Sequence, residues 1–244
     1  MLFDITEAFD NVWWPLVLES LRDRECPRNI YRILQDYFSD REVSIPCRNR
    51  KIGTQVTRGC PQGSVLGPTC WNLMFDGLLR ALENHVGERF IAYADDLVVL
   101  VNGNSRREIE QEGQQTVNQV LDWCKLAKLQ ISERKTEAIW LSSEEKWGAG
   151  NKRRNKKIGF GNRPPVIRLG KSAIRFEETI RYLGVHLDRG MRVGSRCRYL
   201  SNKVVKIVDR IGRVARTQWD LYNRAVATIY RGVFAPLVTY AAAG

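Results

Sequence analysis

Histidine is nearly missing from this sequence: His85 and His186 are the only two in 244 residues. The cysteines, Cys26, Cys47, Cys60, Cys70, Cys124 and Cys197, include no CxxC pair. Without close cysteine pairs or a histidine cluster, a structural zinc site is not expected. The scatter suits reduced thiols in an intracellular protein. No apolar run is long enough to cross a bilayer, and the first residues show no signal-peptide pattern. No internal repeat is visible. Acidic residues are the minority: 27 Asp plus Glu stand against 39 Lys plus Arg, a net charge of +12 and a pI of about 9.7. Such a balance points to a polyanionic partner, nucleic acid before a membrane surface. Hydrophobic residues make up 43% and charged residues 27%, which leaves enough apolar side chain for one large or two small globular domains.

Met1–Ile5 reads as a short buried strand. Trp13–Arg24, with Pro15 in its first turn, and Arg28–Phe38 read as helices from their apolar spacing. Glu42–Cys47 and Ile52–Thr57 read as strands around the basic turn Arg48–Lys51. The run Arg58-Gly-Cys-Pro-Gln-Gly-Ser-Val-Leu-Gly-Pro68 has the glycines and prolines of a shaped loop. A helix to about His85 follows, burying Leu73, Met74, Leu78 and Leu82. Ser105-Arg-Arg-Glu108 is a capping box that starts another helix, with Ile109, Val117, Val120, Leu121 and Cys124 as its core stripe. Strands are expected at Glu137–Leu141, Val166–Leu169 and Thr179–Val185. From Arg196 the pattern is purely helical: one long helix carries Leu200, Val204, Ile207, Val208 and Ile211, and another Tyr222, Val226, Ile229 and Val233. The order predicts an α+β domain with a helical appendage from about residue 190.

The chemistry concentrates in Arg89–Asn102, RFIAYADDLVVLVN. Two apolar β runs with a tight polar junction predict a hairpin. Asp95 and Asp96 sit at its tip, where adjacent carboxylates raise each other's proton affinity. A solvated Asp-Asp turn fits the pair as well as a cation site does. Asp4 ends the first predicted strand. If that strand lies beside the hairpin, three carboxylates converge as two-metal phosphoryl transfer requires, with Mg²⁺ as the ion that hard carboxylate oxygens suit.

Phe3-Asp-Ile-Thr-Glu-Ala-Phe-Asp10, Gly59-Cys-Pro-Gln-Gly-Ser-Val-Leu-Gly-Pro68 and Tyr93-Ala-Asp-Asp96 resemble, in order and spacing, three central motifs of reverse transcriptases, in the version of non-LTR (LINE-type) retrotransposons of arthropods. Ile131-Ser-Glu-Arg-Lys-Thr-Glu137 and Arg181-Tyr-Leu-Gly-Val185 are similar to two later motifs of the same family. The resemblance implies a right-hand polymerase palm, an antiparallel sheet with packed helices and part of the fingers, over residues 1–189. It implies the start of a truncated helical thumb over 190–244. It further implies an RNA-directed DNA polymerase that extends a DNA primer on an RNA template with dNTPs, using two Mg²⁺ ions, with Mn²⁺ as the alternative metal.

Carried over residue by residue, the resemblance makes Asp4, Asp95 and Asp96 the metal-binding aspartates. Phe9 becomes the residue that crowds the sugar 2′ carbon, although a plain core aromatic fits it too. Gln62 and Gly63 lie in the loop against template and incoming nucleotide, or simply shape a turn. Lys135 protonates pyrophosphate, or serves as an electrostatic clamp or a solvated surface charge. Tyr182, Leu183 and Gly184 form the primer grip, or an ordinary strand and turn.

Basic residues add two features. Arg196, Lys203, Lys206, Arg210 and Arg213 fall along one side of the long late helix. There they either track a nucleic-acid backbone or form a solvated face. Lys152-Arg-Arg-Asn-Lys-Lys157 reads as a nucleic-acid or nuclear-import patch, or as a flexible insertion. The expected location is intracellular, the nucleus for the parent element, with no membrane partner. Members of the family carry a fingers segment before the first motif, an endonuclease domain and a fuller thumb. A fragment of a longer protein is therefore the expectation. Two other functions fit parts of the pattern: an RNA-dependent RNA polymerase, against which Phe9 argues, and an inactive nucleic-acid-binding remnant.

Overall fold

The computed structural model describes residues 1–47, 50–83, 89–141, 164–191, 193–218 and 227–240. They fall into two compact units, Met1–Ala138 with Asn155–Arg175, and Ile139–Arg154 with Phe176–Gly244. Each unit mixes helices with antiparallel strands, an α+β architecture. Lys152–Lys157 and His85 lie outside the described residues, as does the Arg48–Asn49 part of the basic turn.

The first unit is built around β1 (Leu2–Asp4), which pairs with β5 (Asp96–Leu100) on one side and meets β6 (Glu137–Ile139) on the other. β4 (Arg89–Tyr93) closes the edge beyond β5. Alternation decides which residues face the core: Phe3, Leu97 and Val99 are fully buried, while Asp4 and Asp96 take the intervening positions. The core is completed from α1 (Trp14–Asp23), α2 (Arg28–Phe38), α3 (Gly67–Glu83) and α4 (Arg106–Leu126), through Val17, Leu34, Trp71, Met74, Leu78 and Val117. α1 is tied to α3 where the Ser20 hydroxyl donates to the Leu73 carbonyl at 2.7 Å.

Local signals decide the helix ends. Pro15 sits in the first turn of α1. Ser105 caps α4 by accepting from the Glu108 N–H, and the Glu108 carboxylate accepts from Asn104 N–H rather than from Ser105. In α4 the expected stripe is buried except for Leu121, which is half-buried. Gly113, Thr116 and Trp123 complete the buried face. Gly113 leaves room for Ile167, whose side chain stands where a Cβ would be. Next to Ile167, β7 (Arg168–Leu169) and β8 (Ser172–Ala173) form a small hairpin, and Gln114 pairs with both the N–H and the carbonyl of Arg168.

β2 (Glu42–Cys47) and β3 (Arg50–Gln55) form a two-stranded hairpin exposed at every residue. β3 begins and ends two residues before the expected strand, because Cys47 pairs with Arg50 and Ile45 with Ile52, so Arg50 and Lys51 belong to the ladder.

β9 (Arg175–Glu177) adds an edge strand next to β6 in the sheet of β4, β5, β1 and β6, and in the second unit the expected strand Thr179–Val185 is two strands, β10 (Thr179–Tyr182) and β11 (Val185–Asp188). Leu183 and Gly184 both adopt positive φ, 45° and 81°, and reverse the chain there. α5 (Val193–Gln218) starts before the expected Arg196. Its Val208 is 51% exposed rather than part of a buried stripe. Tyr222 and Val226 of the last expected helix lie outside the described residues. Tyr230–Phe234 is π-helical and runs into α6 (Ala235–Thr239), where Pro236 supplies no backbone N–H to an α ladder.

Candidate active site

Asp4 and Asp96 stand directly opposite each other on β1 and β5. Their strands are joined by hydrogen bonds, so the pairing register, not the sequence interval, brings the two carboxylates together. Asp95 precedes Asp96 in the two-residue turn between β4 and β5, which Tyr93 and Asp96 close as a pair. Burial, then the charge of Asp95, then that of Asp4 hold the Asp96 carboxyl above the usual carboxylate range. The turn is thus a concentration of negative charge on a partly desolvated edge.

The other flank of Asp4 is a helical turn. Ser132 N–H donates to the Asp4 carbonyl at 2.9 Å, and Asp4 N–H donates to the buried Thr136 hydroxyl at 3.4 Å. Thr136 N–H donates back to the Ser132 carbonyl. This turn delivers Lys135, whose Nζ lies 3.4 Å from Asp4 Oδ2. The lysine is otherwise exposed, at 72% of its side chain. Asp4 Oδ2 itself is buried and receives no hydrogen bond. A buried carboxylate oxygen without a donor is costly unless a cation sits on it.

Among the described residues no three Asp, Glu, His or Cys side chains form a closed metal cage. Mg²⁺ is characteristically held by one or two carboxylates, with water and substrate phosphate completing the octahedron. The open Asp4–Asp96 pair fits that donor set; in the absence of Mg²⁺, Asp4 Oδ2, which receives no hydrogen bond, has the Lys135 ammonium as its neighbouring cation.

Phe9 opens a short 3-10 turn, Phe9–Asn11, and is half-buried. The glycine-rich loop is laced to this turn. Gly59 N–H donates to the Val12 carbonyl and Cys60 N–H to the Phe9 carbonyl, both at 2.8 Å. Gly59 has φ +89°, and a Cβ there would run into the Asp10 carbonyl, so only glycine lets the two segments approach. Gln62 and Gly63 are exposed on the outer part of the loop, Gly63 with φ +83° and open space around it. Beneath them Cys60 and Cys70 are buried and hydrogen-bonded to each other. Cys60 is lowered by that bond, against burial and with help from Arg41; Cys70 is raised by the same bond and by burial.

Tyr182, Leu183 and Gly184 lie in the second unit, at the β10–β11 turn. There the Tyr240 hydroxyl donates to the Leu183 carbonyl at 2.7 Å. Lys203, Lys206, Arg210 and Arg213 are exposed along α5 of the same unit. Two further aromatic residues, given no role from the sequence, lie near the carboxylates. Tyr93, paired with Asp96, is 64% exposed on the sheet face that bears the aspartates. Trp71 is fully buried and donates its indole N–H to the Ala94 carbonyl at 2.7 Å. Alternation along β4 was a signal for Tyr93; nothing local announces Trp71.

The chain matches the family model described as reverse transcriptase (RNA-dependent DNA polymerase) over residues 1–187. It is 33% identical over 239 residues to the "Putative 115 kDa protein in type-1 retrotransposable element R1DM" of Drosophila melanogaster, an alignment covering 98% of this chain and 21% of that protein. The "Retrovirus-related Pol polyprotein from type-1 retrotransposable element R1 4" of Nasonia vitripennis is 40% identical over 153 residues, 62% of this chain and 39% of that protein. The "RNA-directed DNA polymerase from mobile element jockey" of Drosophila melanogaster is 25% identical over 251 residues, 97% of this chain and 25% of that protein. The alignments thus cover between 21% and 39% of the length of these three relatives.

Proposed function

From the premise that this chain belongs to the reverse transcriptase family, as a non-LTR retrotransposon member, we propose that it is the catalytic part of an RNA-directed DNA polymerase that extends a DNA primer on an RNA template. The observation that carries the reading is Asp4 facing Asp96 across β1 and β5, with Asp95 in the adjoining turn. Divalent metal ions serve the family, and Asp4, Asp95 and Asp96 would hold two Mg²⁺ ions here, which when bound would supply activation of the primer hydroxyl and neutralisation of the triphosphate charge. Lys135, beside Asp4, clamps the departing pyrophosphate or hands it a proton. Phe9 walls off the sugar 2′ position. Gln62 and Gly63 present an exposed loop to the nucleotide and the template.

In the palm-and-thumb description, Tyr182–Gly184 grips the primer, and Lys203, Lys206, Arg210 and Arg213 contact backbone phosphates. No membrane partner is part of the reading, and no described helix is long and apolar enough to span a bilayer. The site of action in the parent element is the nucleus.

Asp95→Asn, placed in a version of the chain extended N-terminally to match its relatives, is expected to abolish primer extension while template–primer affinity changes less than about twofold, since no phosphate-binding cation is removed. Ordinary extension by that variant overturns the metal assignment. Absence of primer extension by the unmodified extended version, with binding retained, establishes the inactive remnant instead.

A further inference from the structure

Trp71 touches both halves of the proposed site through different parts of one side chain. Its ring lies 5.9 Å from that of Phe9, tilted by 35°, and stacks on Phe75 at 5.0 Å. Phe75 in turn meets Trp123 edge-on at 5.6 Å. The indole is therefore held on its far side by a packed aromatic column and has little freedom of its own. Its N–H donates to the carbonyl of Ala94, the first residue of the turn that carries Asp95 and leads into Asp96.

Ala94 needs such a hold. It has φ +52°, whereas Asp95 is not among the positive-φ residues. A two-residue hairpin turn of that kind favours glycine at its first central position. Alanine there is strained, and a strained backbone persists only where its surroundings over-determine it. Asp96 is held by its pairing with Tyr93 and with Asp4, whereas Asp95 has no partner in the ladder. Loss of the indole donor would let the turn relax and move the Asp95 carboxylate relative to Asp4 and Asp96.

We propose that Trp71 is a positioning residue with two separable actions: its N–H sets the Asp95–Asp96 turn for metal, and its ring face sets Phe9 against the nucleotide sugar. The inference rests on the polymerase reading for what the two sites bind, but the mechanical claim stands on the hydrogen bond and the ring contact alone.

Trp71→Phe separates the two, because it keeps an aromatic face and loses the donor. In the 244-residue chain, amide hydrogen exchange over residues 93–98 is expected to quicken about tenfold, while α4 is unchanged. Mn²⁺ affinity, measured by electron paramagnetic resonance, is expected to fall by about the same factor. Discrimination against ribonucleotides in the N-terminally extended version should stay within about twofold of wild type, whereas Trp71→Leu, which also removes the ring, should relax it by about tenfold or more. Unchanged exchange at residues 93–98 in Trp71→Phe overturns the inference. So does equal loss of discrimination in the two variants, which is what a merely structural role would give. If Asp4→Asn and Asp95→Asn bind Mn²⁺ as wild type does, the polymerase reading fails, and the exchange rate of the turn still decides the role of Trp71.

Discussion

Phe9, the proposed wall against the sugar 2′ position, is held from two directions, its carbonyl by Cys60 N–H and its ring by Trp71. A fixed wall excludes by overpacking, which costs about 1–3 kcal/mol, or roughly tenfold to a few hundredfold in relative kcat/KM. Phe9→Val is therefore expected to raise ribonucleotide use relative to deoxynucleotide use by at least about tenfold. Competitive extension assays on an active, N-terminally extended version of the chain measure this. An unmoved ratio in a folded protein would return Phe9 to the core and reopen the RNA-polymerase alternative.

Asp96 titrates in the opposite sense to a salt-bridged carboxylate. Its folded value is raised, so the folded chain holds its proton more readily than the unfolded chain. This group favours folding below its unfolded value, and the contribution is lost as pH rises through the folded value. At neutral pH the ionised carboxylate is a burden that a divalent ion would relieve. Asp96→Asn should raise the metal-free Tm at neutral pH by on the order of 1–2 °C, a partly solvated effect. The gain should vanish below the ordinary carboxylate range. Thermal unfolding followed at both pH values checks it; a Tm unchanged at neutral pH would mean that Lys135 already balances the carboxylates.

At the scale of elements, α5 offers a direct measure of backbone contact. Lys203, Lys206, Arg210 and Arg213 recur at spacings that place them on one side of the helix, and all are exposed. Replacing Lys206 and Arg210 by Glu should weaken binding of all nucleic-acid sequences alike. The slope of log affinity against log salt should flatten by about two phosphate contacts, near 1.8 for a duplex. Fluorescence titrations across a salt series provide the test. A sequence-selective loss, or an unaltered slope, would make the basic side of α5 a solvated face.

The elements also show which local signals were sufficient. Arg28–Phe38 was legible to the residue from its period, and the Ser105 box marked the start of α4. The failure at Thr179–Val185 had a specific cause. The strand formers Ile180 and Tyr182 before Leu183–Gly184 and Val185 after it read as one strand, and only the reversal at two positive-φ residues reveals the hairpin. β3 slipped by two residues because its register is decided by pairing with β2, and a fully exposed hairpin carries no buried face in its sequence to mark that register.

For the whole molecule, the net charge of +12 predicts that binding to any polyanion is dominated by counterion release. Affinity of the 244-residue chain for an RNA–DNA duplex should fall linearly and steeply on a log–log plot between about 50 and 200 mM salt. A flat response would assign binding to stacking and base contacts instead.

The sequence by itself determined the α+β class and most helix limits, and it pointed to a polyanionic partner and to Asp4, Asp95 and Asp96 as candidates, because period, caps, turn residues and charge act within a few residues of one another. It also determined that Gly59 is a glycine in a shaped loop, without saying what the missing Cβ makes room for. Tertiary structure alone decided that Asp4 faces Asp96, that Lys135 reaches Asp4 Oδ2, that Gly59 admits the Asp10 carbonyl, and that Trp71 holds Ala94. Each of these joins segments far apart in the chain through strand register or side-chain packing. Such contacts are chosen by which apolar faces bury together, and no local window of sequence contains that choice.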